Sequence, residues 1–105
     1  MEHNKDSIYL DPWEPAQSET YVQELYRELG KDHVLFGIPL QIVARRFDCD
    51  DVLFKYLHEA KYAQVHLTWR GSTEKDPKWP ITMVYDSFEK WRSESMLPDH
   101  VSWIG

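Results

Sequence analysis

The sequence predicts an α+β domain in which an antiparallel sheet of three to four strands carries two helices packed on one face, in the order α-β-β-β-β-α. Two segments repeat apolar residues at helical spacing, and four runs between them are rich in β-branched and aromatic residues. Gaps of hairpin length or turn-like composition separate the first three runs. Because both helices are amphipathic, each is expected to cover the apolar side of the sheet.

The chain is predicted to start with a loose arm, residues 1–17, and to continue as a single domain, residues 18–105. The arm is polar, contains two prolines and shows no apolar period. Trp13 is its largest apolar residue. We expect this side chain to dock on the domain or to contact a partner, because tryptophan is enriched at protein interfaces.

The first helix is predicted in residues 18–30, whose apolar side chains recur at intervals of three and four. A serine or threonine near its start caps it, and Gly30 ends it. Glu24 and Glu28 fall on the side opposite the apolar stripe. We therefore expect both carboxylates to face solvent, where they are available to a partner.

Four strands are predicted after the first helix. A four-residue hairpin loop between the second and third strands places Phe54 opposite Val65. In that register the apolar residues of both strands share one face, which supports the pairing. The four predicted strands are residues 40–47, 52–57, 61–69 and 81–85.

The third of these strands alternates between apolar and polar side chains, which is the pattern of a half-buried strand. The apolar positions are expected to be buried beneath the two helices. His66 falls between them, so we expect it to be at least partly exposed on the other face. The expected buried residues are Ala63, Val65, Leu67 and Trp69.

The second helix is predicted in residues 87–96. Asp86 and Glu89 have the spacing of a capping box at its start. Pro98 is expected to end it, because proline lacks the N–H that a helix interior requires. Residues 99–105 then form a tail with several apolar side chains.

Composition and charge narrow the classes of partner and compartment that we expect for this chain. The formal net charge is −6, and residues 1–32 hold eight acidic and three basic residues. The chain has no basic stripe that would follow a phosphate backbone, so we expect no nucleic-acid binding, whereas a basic protein partner fits the charge. A single cysteine and no long apolar run predict a cytoplasmic protein without a membrane segment.

A candidate ligand site lies on the polar face of the predicted sheet, around His66. Gln64 and Thr68 share this face, and one of the adjacent Arg45 and Arg46 must also reach it. Such a group suits an anion such as a carboxylate or phosphate, with the imidazole as acid or base. The alternative is an ordinary solvated sheet face.

No catalytic residue, metal ligand or cofactor is assigned. Asp48, Asp50 and Asp51 surround Cys49, but the glycine and closing glutamate of a calcium loop are missing from the expected places. Turn chemistry alone accounts for the aspartates. The cysteine lacks the flanking pattern of a known nucleophile.

A loop of about ten residues precedes the last predicted strand, which is at the long end for a compact domain. Trp79 stands in it between Lys78 and Pro80. This tryptophan either folds back on the core as a lid or anchors a partner. Sequence alone leaves both alternatives open.

The runs HVLFGIPLQIVARRFDCDDVLF and YAQVHLTWRGSTEKDPKWP resemble a small family of uncharacterised bacterial cytosolic proteins. The resemblance covers about residues 33–99. It implies a free-standing bacterial domain, and no activity or functional residue comes with it.

Two functions follow from these features. The first hypothesis is a small acidic, non-enzymatic protein-binding domain, an adaptor or an inhibitor of the immunity-protein type, with Trp13, Glu24, Glu28 and Trp79 as partner-binding residues. The second is a small enzyme or anion-binding domain that uses the polar face of the sheet. The chain is expected to be a monomer or a homodimer.

Overall fold

A computed structural model, which describes residues 8–105, shows a five-stranded antiparallel sheet with helices on both faces. Each strand pairs with the next one in sequence, in the order β1-β2-β3-β4-β5. The predicted α+β class and antiparallel sheet are confirmed, but the sheet has one strand more than predicted. The elements are β1 (Trp13–Pro15), α1 (Glu19–Glu28), β2 (Leu40–Arg46), β3 (Asp51–Tyr56), β4 (Tyr62–His66), β5 (Thr82–Tyr85), α2 (Phe88–Trp91), a π-helical segment (Arg92–Met96) and α3 (Leu97–Ile104).

The additional strand is β1, which lies within the predicted loose arm. Residues 13–15 pair with β2, where Trp13 lies opposite Arg46. The Trp13 side chain is almost fully buried, and its Nε1 donates a hydrogen bond to Asp99 at 2.9 Å. The part of the arm at residues 1–7 lies outside the described residues. A three-residue strand that ends in proline carries no alternation, so sequence periodicity did not indicate it.

The first face of the sheet, defined as the side covered by α1, is packed mainly with aliphatic side chains. Ser18 caps the helix by accepting a hydrogen bond from the Thr20 N–H at 3.2 Å. The apolar stripe of α1 then lies against the central strands, whose alternate residues point toward it. The buried cluster comprises Val22, Leu25, Leu29, Leu35, Leu40, Ile42, Val52, Phe54, Tyr56, Ala63, Val65 and Leu67.

The β3–β4 hairpin has the predicted faces but a different register. Phe54 lies opposite Ala63 rather than Val65, which is a shift of two residues. A shift of two keeps every side chain on its own face, because the side-chain period of a strand is two. Leu67 is accordingly buried and His66 is exposed, as expected.

Trp69 departs from the expected burial. Its side chain is 41% exposed, because β4 ends at His66 and Trp69 adopts a left-handed backbone conformation with φ of 56°. The alternation that holds within β4 therefore does not extend to this residue.

The second face is the side opposite α1, and it is covered by α2, the π-helical segment and α3, which together form the C-terminal helix. The prediction that both helices pack on one face is wrong. Apolar residues of the sheet also occur on this side, so both faces require a cover. The buried cluster here comprises Trp13, Ala44, Leu53, Tyr85, Trp91 and Met96.

The C-terminal helix begins and ends differently from the prediction. Ser87, and not Asp86, is the N-cap, and its side chain accepts a hydrogen bond from the Lys90 N–H at 3.1 Å. Pro98 does not end the helix, because it lies in the first turn of α3, where a missing N–H is tolerated. The π-helical segment lies directly before α3, and the predicted tail continues as α3 to Ile104. No helix within residues 8–105 has the length and apolar character needed to cross a bilayer.

Candidate protein-interaction site

The second face is not an open polar surface. Gln64 lies beneath the C-terminal helix, where its Oε1 accepts hydrogen bonds from Trp91 Nε1 at 2.8 Å and from the Ser95 hydroxyl. Gln64 therefore fixes the helix on the sheet. It is not placed to bind a ligand from solvent.

The two arginines of the predicted anion site belong to separate ion pairs. Arg45 lies 3.4 Å from Glu14 of β1. Arg46 reaches Asp48 at 2.8 Å and Asp99 of α3 at 3.3 Å. Their neighbouring positions in β2 send the side chains in opposite directions, so each is engaged by a different carboxylate.

His66 is half-exposed and is paired with Asp51, whose Oδ1 lies 2.7 Å from the imidazole Nδ1. A nearby cavity of about 160 Å³ is lined by Arg45, Arg46, Asp50 and Asp51, but not by His66. The two aspartates in its wall disfavour an anion. The five residues predicted to bind a ligand are thus not brought to one place, since Gln64 is covered and Thr68 turns toward α1.

Three of the four residues predicted to bind a partner are buried. Trp13 is 1% exposed, so of its two predicted alternatives it docks on the domain. Glu24 and Glu28 are 2% and 0% exposed, so their expected exposure to solvent is wrong. Trp79 is 38% exposed and stays a candidate. Charged residues are almost never fully buried without a partner, and the partner of the two glutamates is a loop distant in sequence.

The strand at one edge of the sheet, β5, displays apolar side chains. Ile81, directly before the strand, is 43% exposed, and Met83 and Val84 within it are 56% and 39% exposed. Met83 lies opposite Gln64, at a part of the second face that the C-terminal helix leaves uncovered. We call residues 81–84 the β5 edge.

The backbone of the β5 edge is also available. His66 N–H donates to the Ile81 carbonyl at 2.9 Å, which makes these two residues a hydrogen-bonded pair of the β4–β5 ladder. Pairs alternate along an antiparallel ladder, so the N–H and C=O groups of Thr82 and Val84 point away from β4. Since β5 is the last strand in the described sheet, no described strand meets them there.

A buried histidine fixes the start of the β5 edge. His33 Nδ1 accepts a hydrogen bond from the Leu35 N–H at 3.0 Å, so the ring proton lies on Nε2, which donates to the Pro80 carbonyl at 2.9 Å. This link ties the loop after α1 to the residue directly before the β5 edge. Nothing in its flanking sequence distinguishes His33 from the other four histidines.

Glu24 and Glu28 hold the first part of the loop that leads to β5. Glu28 accepts the N–H groups of Thr68 at 3.0 Å and Trp69 at 2.8 Å, one on each carboxyl oxygen. Glu24 accepts the Gly71 N–H at 3.2 Å. We call this arrangement the carboxylate clasp.

The two carboxyl groups of the clasp have pKa values that are shifted in opposite directions. Burial, together with the hydrogen bond to Glu24, raises the pKa of Glu28 to about 7. Burial also acts on Glu24, but hydrogen bonds from Glu28, Gly71 and Arg27 outweigh it and hold the pKa of Glu24 below its ordinary value. Between the lowered pKa of Glu24 and the Glu28 pKa of about 7, the pair therefore carries one proton.

Two further apolar areas are exposed. A cavity of about 420 Å³ is lined by Tyr26, Leu29 and residues 36–39. Val101 and Ile104 of α3 are 64% and 67% exposed. Neither area combines exposed side chains with outward backbone groups, as the β5 edge does.

No described group of three or more histidine, cysteine, aspartate or glutamate side chains is arranged to hold a metal ion. Cys49 is a free, exposed thiol whose pKa is raised by partial burial, so less of it is in the nucleophilic thiolate form at neutral pH.

No family model, curated protein or solved structure matches this chain. The resemblance to a family of uncharacterised bacterial proteins therefore stays a prediction.

Proposed function

We propose that this chain is a small protein-binding domain, an adaptor or an inhibitor, that captures an extended segment of a partner protein along the β5 edge. The observation that carries the proposal is an edge strand with exposed apolar side chains and outward backbone groups at Thr82 and Val84. An edge of this kind is a template for an added strand, whose main chain supplies hydrogen bonds and whose alternate side chains supply specificity.

The chemistry of the surface defines the partner. Apolar side chains on alternate positions of the added strand would meet Ile81 and Met83 on one face and Val84 on the other. Basic residues in the partner's added strand would be attracted by the formal charge of −6 on this chain and by the exposed Asp86 directly after β5. We place this binding in the cytoplasm, because the free thiol of Cys49 suits a reducing compartment.

A proline substitution tests the backbone part of the proposal. Val84→Pro removes an outward N–H and leaves the β4–β5 ladder intact, since edge strands tolerate proline where the N–H faces solvent. We expect affinity for a partner recovered from the source cells to fall about tenfold, the effect of losing one hydrogen bond and its neighbouring contacts. Binding is measured by calorimetry and should weaken as salt rises.

Val84→Ala is the matched control, because it shortens the same side chain and keeps the N–H. It should lose less affinity than Val84→Pro. Equal binding by wild type and Val84→Pro would contradict strand addition at β5. Sedimentation of the purified protein shows whether the added strand is instead β5 of a second copy.

A further inference from the structure

We propose that Glu24 and Glu28 make the carboxylate clasp proton-dependent: while the two carboxyl groups share one proton they hold residues 68–71 against α1, and loss of that proton loosens this segment. Both side chains lie one helical turn apart on α1 and are almost fully buried. They bind three backbone N–H groups of one short segment.

The requirement for a shared proton follows from the surroundings of the pair. Two adjacent buried carboxylates repel each other, and burial disfavours the charged form of each. Arg27 donates from Nε and Nη2 to Glu24 Oε1 at 3.2 and 3.1 Å, but half of its side chain is exposed. One guanidinium compensates one carboxylate, so the second carboxyl is stable in its neutral form.

The other charged groups at the clasp come from the loop. Glu74 accepts a hydrogen bond from the Thr68 hydroxyl at 3.0 Å and from Arg70 at 2.8 Å. With one proton on the pair, Glu24 and Glu74 carry two negative charges and Arg27 and Arg70 two positive charges, so the group is neutral. Loss of the proton from Glu28 leaves one uncompensated negative charge inside it.

The clasp holds a backbone that has a more favourable alternative. Trp69 has φ of 56°, a left-handed conformation that is unfavourable for a residue other than glycine. Its N–H donates to Glu28 Oε2 at 2.8 Å, which ties this conformation to the clasp. The Trp69 ring lies edge-on to Tyr21 with 5.9 Å between centroids, so release of the segment also frees an indole.

The two carboxyl groups should make the free energy of unfolding depend on pH in opposite directions. The pKa of Glu28 is raised from 4.5 to about 7, so its contribution is complete below pH 4.5 and is lost as pH rises through 7. The pKa of Glu24 is lowered, so its contribution is present above 4.5 and is lost as pH falls below that value. The free energy of unfolding should therefore be largest near pH 4.5 and should fall as pH rises from 4.5 to about 7.

Carboxyl-carbon NMR and amide exchange of the wild-type protein test the clasp directly. We expect the Glu28 carboxyl to titrate with a midpoint near 7. The protection factors of the Thr68, Trp69 and Gly71 amides, corrected for intrinsic exchange, should fall about tenfold between roughly pH 6 and 8, since one pKa unit corresponds to tenfold. In Glu28→Gln this dependence should vanish, because the amide cannot ionise.

Glu19→Gln is the matched control, since Glu19 is an exposed glutamate on the same helix. It should leave the titration and the protection factors unchanged. A Glu28 midpoint below about 5, near the reference value for glutamate, would overturn the proposal. Constant protection of the three amides across neutral pH in the wild type would overturn it as well, even if Glu28→Gln does not fold.

Discussion

The two faces of the sheet are packed by different chemistry. The first face meets α1 mainly through aliphatic side chains, and its buried carboxylates are those of the clasp at the margin. The second face meets the C-terminal helix through aromatic rings. Trp13 and Trp91 contact edge to face with 5.0 Å between centroids, and each indole N–H has a polar acceptor, Asp99 and Gln64 respectively.

This difference shows what each kind of packing requires. Aliphatic side chains need only the correct face and volume, because they carry no polar atoms. A buried indole needs its N–H satisfied as well, so the position of its partner is specified. The second face is therefore the more sensitive of the two to a change in one polar residue.

Trp91→Ala should have the largest effect on stability. The side chain is fully buried at the centre of the second face, so its loss removes transfer energy and leaves a cavity, at a cost of about 3–5 kcal/mol. Urea unfolding measures this change. Trp79→Ala, at a partly exposed site, is the control and should cost much less. If Trp91→Ala cost no more than Trp79→Ala, the aromatic packing of the second face would contribute little to stability.

Leu67→Ala tests the first face. Leu67 is 1% exposed beside α1, and its truncation should cost about 2–5 kcal/mol in a thermal melt. A loss below 1 kcal/mol would mean that α1 collapses into the space, and that the first face is less closely packed than the second.

Gln64→Leu tests how much the buried hydrogen bonds of the second face contribute to stability, apart from its apolar packing. The substitution keeps a similar volume but leaves the Trp91 N–H and the Ser95 hydroxyl without their acceptor, which should cost about 1–3 kcal/mol. Gln41→Leu, at an exposed glutamine of β2, is the control and should be close to neutral. A neutral Gln64→Leu would remove the distinction between the faces.

His66→Ala should have the smallest effect. It removes an exposed pair with Asp51, and such pairs contribute at most about 1 kcal/mol. Circular dichroism melts of this variant and of Leu67→Ala compare adjacent residues on opposite faces. If His66→Ala lost more stability than Leu67→Ala, the assignment of these residues to the two faces would be wrong.

Much of the sheet is predictable from the sequence, because β2 to β5 are each marked by alternation or by β-branched residues between turn signals. The faces of β4 were correct although the hairpin register was shifted by two, since only odd shifts exchange faces. The exposure of His66 was correct for this reason. The loss of alternation at Trp69 depends on the clasp, which no local pattern shows.

The errors share one physical origin, which is contact between distant segments. Glu24 and Glu28 resemble solvent-facing helical residues until a loop 40 or more positions away supplies N–H groups. Trp13 has no local partner either, since Asp99 lies 86 residues further along the chain. The proposed site at the β5 edge is equally non-local, because strand order decides which strand has a free side.

The contact of Trp13 with Trp91 and Asp99 sets the order of events during synthesis. A ribosome delivers β1 to β4 long before the residues that cover the second face. Until the C-terminal helix leaves the exit tunnel, Leu53 and Trp13 stay open to water or to a chaperone. The nascent domain can complete α1 and the first face early, but its last helix must emerge before its first tryptophan is buried.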